Sequence, residues 1–335
     1  MLRLMDTPED TIAGSALYLR IMFMGMVPNM VYNVGSAILR AMGDSKRPLY
    51  FLIVACLSNV VLDLVFVLVF KMGIAGVAIA SILAQAISAV MVVMSLSAES
   101  MEYRFRFRQM RFEGDILSRT IRIGLPAGFQ SIMYSLSNML IQASVNRFGT
   151  DTVASWVVLG KVDGINWMIL GALGIASMTF VGQNYGAGRL DRIQKSLKLS
   201  LLIGLCISIV FGGALLLFGW PLFGLFTSDD TVLAMSMQLL WYFAPFYWLF
   251  VPIEVISGAL RGMGDTLIPT IITATGICVF RVAWIYTVVP LHNSMFTVSL
   301  SYPISWVLTA IAFAIYYMIA RKKLIANAPK PRTAE

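Results

Sequence analysis

The feature that most limits what this chain can fold into is the length of its apolar runs. Residues 49–70, 74–96 and 199–218 each continue for about twenty residues, with Asp63 as the one charge among them. A helix rising ~1.5 Å per residue needs that length to cross the hydrocarbon core of a bilayer, and a buried helix of a soluble domain does not. About nine such spans can be placed, near residues 17–39, 49–70, 74–96, 122–146, 152–180, 197–224, 232–260, 268–289 and 296–320. The period-two alternation of a membrane barrel strand is absent, so the spans are read as helices, which satisfy their own backbone in lipid. Composition agrees: 59% of the 335 residues are apolar and 13% charged, against roughly 25% charged in soluble domains. The fold class is an all-α polytopic membrane protein.

A net charge of +8 raises the question of nucleic acid, and the position of the charges answers it. Arg40, Lys46 and Arg47 fall in one connection, Arg104, Arg106, Arg108, Arg111, Arg119 and Arg122 in another. Arg189, Arg192, Lys195 and Lys198, then Arg261, then Arg321, Lys322, Lys323, Lys330 and Arg332 follow in every second connection, which puts 19 of 25 basic residues on one side. By the positive-inside rule that side and the C-terminus are cytoplasmic. The expected partner is the lipid bilayer of a plasma (inner) membrane, crossed many times, and not nucleic acid. Cys56, Cys206 and Cys278 lie within spans as packing thiols, and the lone His292 cannot build a metal site.

One short string occurs twice. Residues 40–48 read RAMGDSKRP and residues 261–269 read RGMGDTLIP, so an offset of 221 relates Arg40 to Arg261, Gly43 to Gly264 and Asp44 to Asp265. The same offset lays MDTPEDT (5–11) on FTSDDTV (226–232), both of helix-capping type. Locally the string predicts a tight connection, with glycine ending one helix, Asp44 or Ser45 capping the next and proline in its first turn; a gating contact for Arg40 and Asp44 is the alternative. Six spans separate the copies, so both face the cytoplasm with the same end, as in a parallel repeat about an axis along the membrane normal. The expected organisation is three helices of a first lobe (1–96), a basic cytoplasmic linker (97–121), a six-helix second lobe (122–325) and a cytoplasmic tail (326–335). By the repeat, three further helices belong before Met1, and the chain is expected to be a fragment.

The motifs YLRI, VPNMVYNVGSAILRAMGDSKRP, NVVLDLVF and GIAGVAIAS, followed by IGLPAGFQSIMYSLSN, VGQNYGAGRLDR and SGALRGMGDTLIPT, resemble those of the multidrug and toxic compound extrusion (MATE) transporters over nearly the whole chain. The resemblance implies two lobes of six helices each in a monomer that opens alternately to each side. It also implies export of organic cations or drugs in exchange for sodium ions or protons, with no cofactor beyond that coupling ion. The family's acidic positions do not match residue by residue here, which leaves the choice of ion open.

Charges inside the spans point to the chemistry. Asp63, Asp163 and Glu254 are the acids well inside, Lys161 and Arg281 the clearest bases, and each costs at least ~2.5 to 3.5 kcal/mol at mid-membrane. They either carry function or neutralise one another; Asp163 and Arg281 lie within ~6 Å in depth and are able to pair. Coupling needs a carboxylate that holds either a cation or a proton, and Lys161 and Arg281 would set when Asp163 or Glu254 releases it. Glu254 follows Pro245 and Pro252, which break its helix. Asn138, Gln142 and Asn166 are candidate neutral ligands or helix-helix bonds, and Asp63 with Asn59, an i, i+4 pair in the first lobe, either lines that lobe's cavity or makes a helix-packing hydrogen bond. Trp241, Tyr242, Tyr247 and Trp248 are read either as an interfacial belt or as a cation-π surface, and the 21 methionines suit an adaptable site. No nucleophile-base pair is present, so an enzyme is not expected; the alternatives are a lipid-linked precursor flippase of the same broader fold or a non-functional fragment. The repeat makes a direct prediction: the genomic sequence upstream of Met1 encodes about three more apolar spans in frame, and an in-frame stop immediately upstream would refute it.

Overall fold

The computed structural model describes residues 9–98, 105–109 and 111–326. Among them every regular element is helical, as lipid demands of a backbone that has no water to bond to. The chain divides into two units, residues 1–112 and 113–335.

In the first unit α1 (Glu9–Met24) and α2 (Met26–Ala41) form one rod bent by 42° at Gly25. A Cβ at Gly25 would stand 2.7 Å from Ile82 of a later helix of the unit, so glycine lets the bend lie against its neighbour. Next come α3 (Lys46–Leu64), which runs into a π-turn at Val65–Val69, and α4 (Gly73–Ser97). Leu39, Val92 and Leu96 bury themselves between α2 and α4, where Gly35 lies so close that a Cβ would meet Val92 at 2.9 Å.

The second unit holds α5 (Gly114–Val145), α6 (Thr150–Gly186), α7 (Leu190–Gly224) and α8 (Asp230–Phe243). A 3-10 stretch, Ala244–Phe250, leads into α9 (Val251–Gly262). After α10 (Leu267–Thr273), a π-stretch at Ala274–Val279 and α11 (Phe280–Thr287), α12 (Met295–Ala326) completes the unit. The rods coincide with the predicted spans. Seven are long and apolar enough to cross a bilayer, or eight if the bent α1–α2 pair is one span. The remaining rod, α5, carries Gln130, Asn138, Gln142 and five serines, a polarity that its position at an internal cavity explains below. It begins at Gly114, inside the segment expected to be linker, while residues 99–104 and 110 of that segment and 327–335 of the tail lie outside the described residues.

The two copies of the repeated string fold alike. Gly43 has φ +91° and Gly264 φ +89°, a left-handed conformation in which any Cβ is strained by ~1 to 2 kcal/mol. Gly43 N donates to Arg40 O at 3.0 Å and Asp44 N to Leu39 O at 2.9 Å; Gly264 N donates to Arg261 O and Asp265 N to Leu260 O, both at 3.0 Å. The aspartates diverge. Asp44 accepts from Lys46 N and Arg47 N at 3.1 Å and so caps α3, whereas Asp265 accepts from Tyr316 OH of α12.

The closest helix pair in the second unit is α6 with α9. Gly258 faces Gly174 O so tightly that no Cβ fits, and one at Gly262 would meet Met178 O at 2.5 Å and Gly182 N at 3.0 Å. Ser177 Oγ donates to Val255 O at 3.1 Å across the same seam. Small residues of this kind let membrane helices approach where lipid removes the hydrophobic drive. Because the atoms opposed are backbone, no rotamer change relieves a larger residue. Gly262→Ala should therefore cost ~1 to 3 kcal/mol, read as a lower unfolding temperature in detergent. Gly213→Ala, on an exposed face of α7 where a Cβ meets nothing within 4 Å, should change stability by less than ~0.5 kcal/mol.

Candidate functional site

Helical spacing gathers the site. On α6, Trp156, Asp163 and Trp167 are seven and four residues apart and share a face. On α5, Gln130, Tyr134, Asn138 and Ile141 do the same. Glu254 and Arg261 stand two turns apart on α9, Arg281 projects from α11, and Tyr302 and Trp306 are one turn apart on α12. Together with Gln142, Leu159, Gly160, Phe243 and Phe250 they line a half-open cavity of about 560 Å³, every lining residue belonging to the second unit.

Its walls are aromatic. Trp167 meets Phe250 edge-on at 4.9 Å and Trp306 at 5.7 Å between ring centroids, and Trp156 meets Tyr302 at 5.9 Å. Edge-to-face geometry of this kind is preferred by ring quadrupoles and holds the walls rigid.

Each charge in the cavity has its own support. Asp163 accepts a hydrogen bond from Tyr247 OH, and Tyr247 is itself fully buried at the centre of the 3-10 stretch. Glu254 lies in the first turn of α9 with its carboxylate against α6: a Cβ at Gly174 would come within 2.5 Å of Oε2. Arg281 is 4% exposed; its Nε donates to Ser305 Oγ at 3.0 Å, and its guanidinium carbon lies 3.9 Å from the centroid of the Tyr302 ring. Arg261 donates from Nη2 to Gln130 Oε1 at 2.9 Å, and its Nε is buried with no acceptor.

The structure thus brings Asp163, Glu254, Arg281, Asn138 and Gln142 to one cavity, and Gln142 Nε2 also donates to Asn146 Oδ1 at 2.9 Å. Asp163 and Arg281 do not form the ion pair their depths allowed: Tyr247 and Ser305 are their partners instead. Asn166 is buried close by, its Nδ2 without an acceptor. Lys161, two residues from Asp163 and hence on another face of α6, is exposed, with its Nζ 5.2 Å from the Phe226 ring centroid. It does not join the cavity. The aromatic run divides in the same manner: Trp241 and Trp248 are 57% and 43% exposed, and Tyr242 packs on Phe296 at 5.0 Å, so only Tyr247 of the four reaches a site charge. In the first unit Asp63 Oδ1 and Asn59 Nδ2 are buried without partners.

Arg261 and the rings of Trp156, Trp167, Tyr302 and Trp306 escaped the sequence reading as site residues. Arg261 was assigned to a turn, although it stands one helical face from Glu254. The signal for the rings was their spacing: an acid flanked by Trp at seven and four residues is an aromatic face with a charge at its centre.

A family model described as MatE matches residues 1–65 and 126–287. The chain belongs to the MATE family. A probable multidrug resistance protein of Bacillus subtilis, YpnP, is 30% identical over 327 residues, covering 96% of this chain and 72% of that protein. Another from the same organism, YoeA, is 29% identical over 340 residues with the same coverage. A solved structure described as MATE in the bent conformation superposes with a TM-score of 0.84 at 19% identity, over 97% of this chain and 72% of that one. The MATE fold is therefore shown by sequence and by shape.

In this MATE chain the Tyr247 hydroxyl is the donor on which the half-buried Asp163 depends. Tyr247→Phe should lower stability by ~1 to 3 kcal/mol, measured as a fall in unfolding temperature of the purified protein, since Asp163 then keeps its burial and loses its partner.

Proposed function

We propose that this protein is a secondary antiporter that exports drug-like organic molecules in exchange for sodium ions or protons by alternating access. One observation supports the reading above the others: a 560 Å³ aromatic cavity joins two carboxylates from different helices, Asp163 and Glu254, next to a helix interrupted by a 3-10 stretch. That volume falls within the roughly 300 to 1,000 Å³ of small-molecule sites. Relatives named as multidrug resistance proteins agree with an efflux role.

Asp163 and Glu254 are the residues that hold the coupling ion. A carboxylate binds a cation or a proton but not both, so a basic group on the substrate and the coupling ion compete for the same oxygens. Exchange then needs no covalent step, only two cavity openings with different occupants. The interruption at Ala244–Phe250 supplies a place for such a change, because Pro245 and Pro252 remove backbone donors there and leave α8 and α9 able to tilt separately. The charge distribution supports an orientation with the C-terminus on the cytoplasmic side of a plasma membrane.

A flippase for a lipid-linked precursor draws support from Arg261 and Arg281, but a cavity of this size suits a compact ring better than a sugar-bearing lipid. The test is dye efflux in a pump-deficient host expressing the gene. Asp163→Asn or Glu254→Gln should each lower efflux at least about ten-fold at equal protein amounts, by removing a charge worth ~1.4 kcal/mol or more to ion binding; unchanged efflux in both would remove the assignment. Collapsing the sodium and proton gradients separately then identifies the ion.

A further inference from the structure

The first unit ends in a short basic segment that is held in a fixed place. Phe105 N donates to Leu96 O at 2.8 Å in the last turn of α4, and the Phe105 side chain packs against Leu39, Val92 and Leu96. A 3-10 turn follows at Phe107–Gln109, closed by Gln109 N on Arg106 O at 3.0 Å, and Arg106 and Arg108 stand exposed on it. The start of α3 comes to the same spot. Arg47 Nη1 donates to Ser95 Oγ at 3.4 Å, one residue before the carbonyl that holds Phe105, and Tyr32 OH ties α2 to the first turn of α3 through Pro48 O at 3.0 Å. Lys46 and Arg47 on one side and Arg106 and Arg108 on the other therefore converge on the end of α4.

Four bases meet one acid at this corner. Asp44 is already engaged, its Oδ2 3.2 Å from Arg47 Nε and its Oδ1 accepting from the amides of Lys46 and Arg47. Among the described residues no carboxylate lies within 4 Å of the Lys46, Arg106 or Arg108 side chains. Within one turn of Lys46 the surface of α3 becomes apolar: Leu49, Tyr50, Leu52 and Ile53 are exposed and open a helix long enough to cross the hydrocarbon core. Charge thus gives way to apolar surface at the depth where lipid phosphates lie. A connection whose charge served topology alone would need no fixed backbone; this one is fastened to three helices.

We propose that this corner of the first unit is a binding surface for an anionic phospholipid of the adjoining leaflet, the cytoplasmic one by the charge rule. Lys46, Arg106 and Arg108 receive the phosphate oxygens, and the acyl chains descend along Leu49, Leu52 and Ile53. Arg47, occupied by Asp44 and Ser95, holds the two basic segments together rather than reaching outward. A zwitterionic lipid brings the same phosphate together with a cationic group that the cluster repels, so the preference is for net negative headgroups. Each basic group near such a surface is worth about five-fold in affinity, and the attraction weakens as salt screens it. The surface would bind lipid whether or not the cavity of the second unit carries a substrate.

Native mass spectrometry of the purified full chain, released from detergent with added lipid, gives the dissociation constant of the first bound molecule. Dioleoylphosphatidylglycerol should bind at least about five-fold tighter than dioleoylphosphatidylcholine, and the difference should shrink as the ammonium acetate concentration rises. Arg106→Gln with Arg108→Gln should bring the two lipids within about two-fold of each other. Arg119→Gln with Arg122→Gln, which removes the same charge from an exposed stretch of α5, should leave the preference in place. Should the first double variant fold poorly, Lys46→Gln, expected to lower the preference about five-fold, carries the test. Equal affinity for the two lipids in the unaltered chain, or an equal loss in both double variants, overturns the proposal, the latter by showing diffuse attraction instead of a site. Glycerophosphoglycerol, the same headgroup without acyl chains, should fail to displace the lipid at millimolar concentration; full displacement would mean that a soluble phosphodiester suffices and would overturn the lipid assignment.

Discussion

The backbone contact between α6 and α9 is what the rest of the second unit depends on. Gly174, Gly182, Gly258 and Gly262 bring backbone close to backbone along the seam, so the two helices meet at a distance that larger residues forbid. That closeness sets where Asp163 and Glu254 stand, since one belongs to each helix. It also places the Glu254 carboxylate over Gly174, where a β-carbon would displace it. In lipid, where apolar side chains gain little from leaving their surroundings, such packing is among the few sources of helix association available. The site is therefore built on backbone geometry first and on side-chain chemistry second.

Much of the architecture was legible in the sequence because a bilayer imposes a fixed length on every span. The nine apolar stretches anticipated the rods, and the repeated string anticipated two turns with matching positive-φ glycines. The limits of legibility were rotational. Composition and length place a residue at a depth, but they do not say which way it faces. Lys161 and Asp163 share nearly the same depth and sit two residues apart, yet one is exposed and the other lines a cavity. Trp241 and Tyr247 belong to one aromatic run, and only Tyr247 turns inward, because the chain tightens from α-helix to 3-10 between them.

Arg261 shows a second limit. The sequence marks it as the start of a repeated turn, and the turn is real, but the side chain reaches Gln130 on α5. A backbone motif and a cavity residue are thus the same position. The counterpart Arg40 begins an identical turn in the first unit, so the repeat by itself does not distinguish the two duties. What distinguishes them is tertiary: a polar α5, recognisable as the one rod too polar to pass as an ordinary lipid-facing span, with Gln130 on its inward face.

The paired turns have a mechanical meaning beyond their symmetry. At Asp44 the side chain closes on the backbone amides of Lys46 and Arg47, so that turn makes its own cap. At Asp265 the side chain instead accepts from the Tyr316 hydroxyl through Oδ2, and α10 has no side-chain cap. The second turn is consequently fastened to α12 as well as to itself. A tilt of α12 away from the α9–α10 corner would stretch this bond. One corner thus feels the position of a distant helix through a single side chain, whereas its twin spends the same side chain on its own cap.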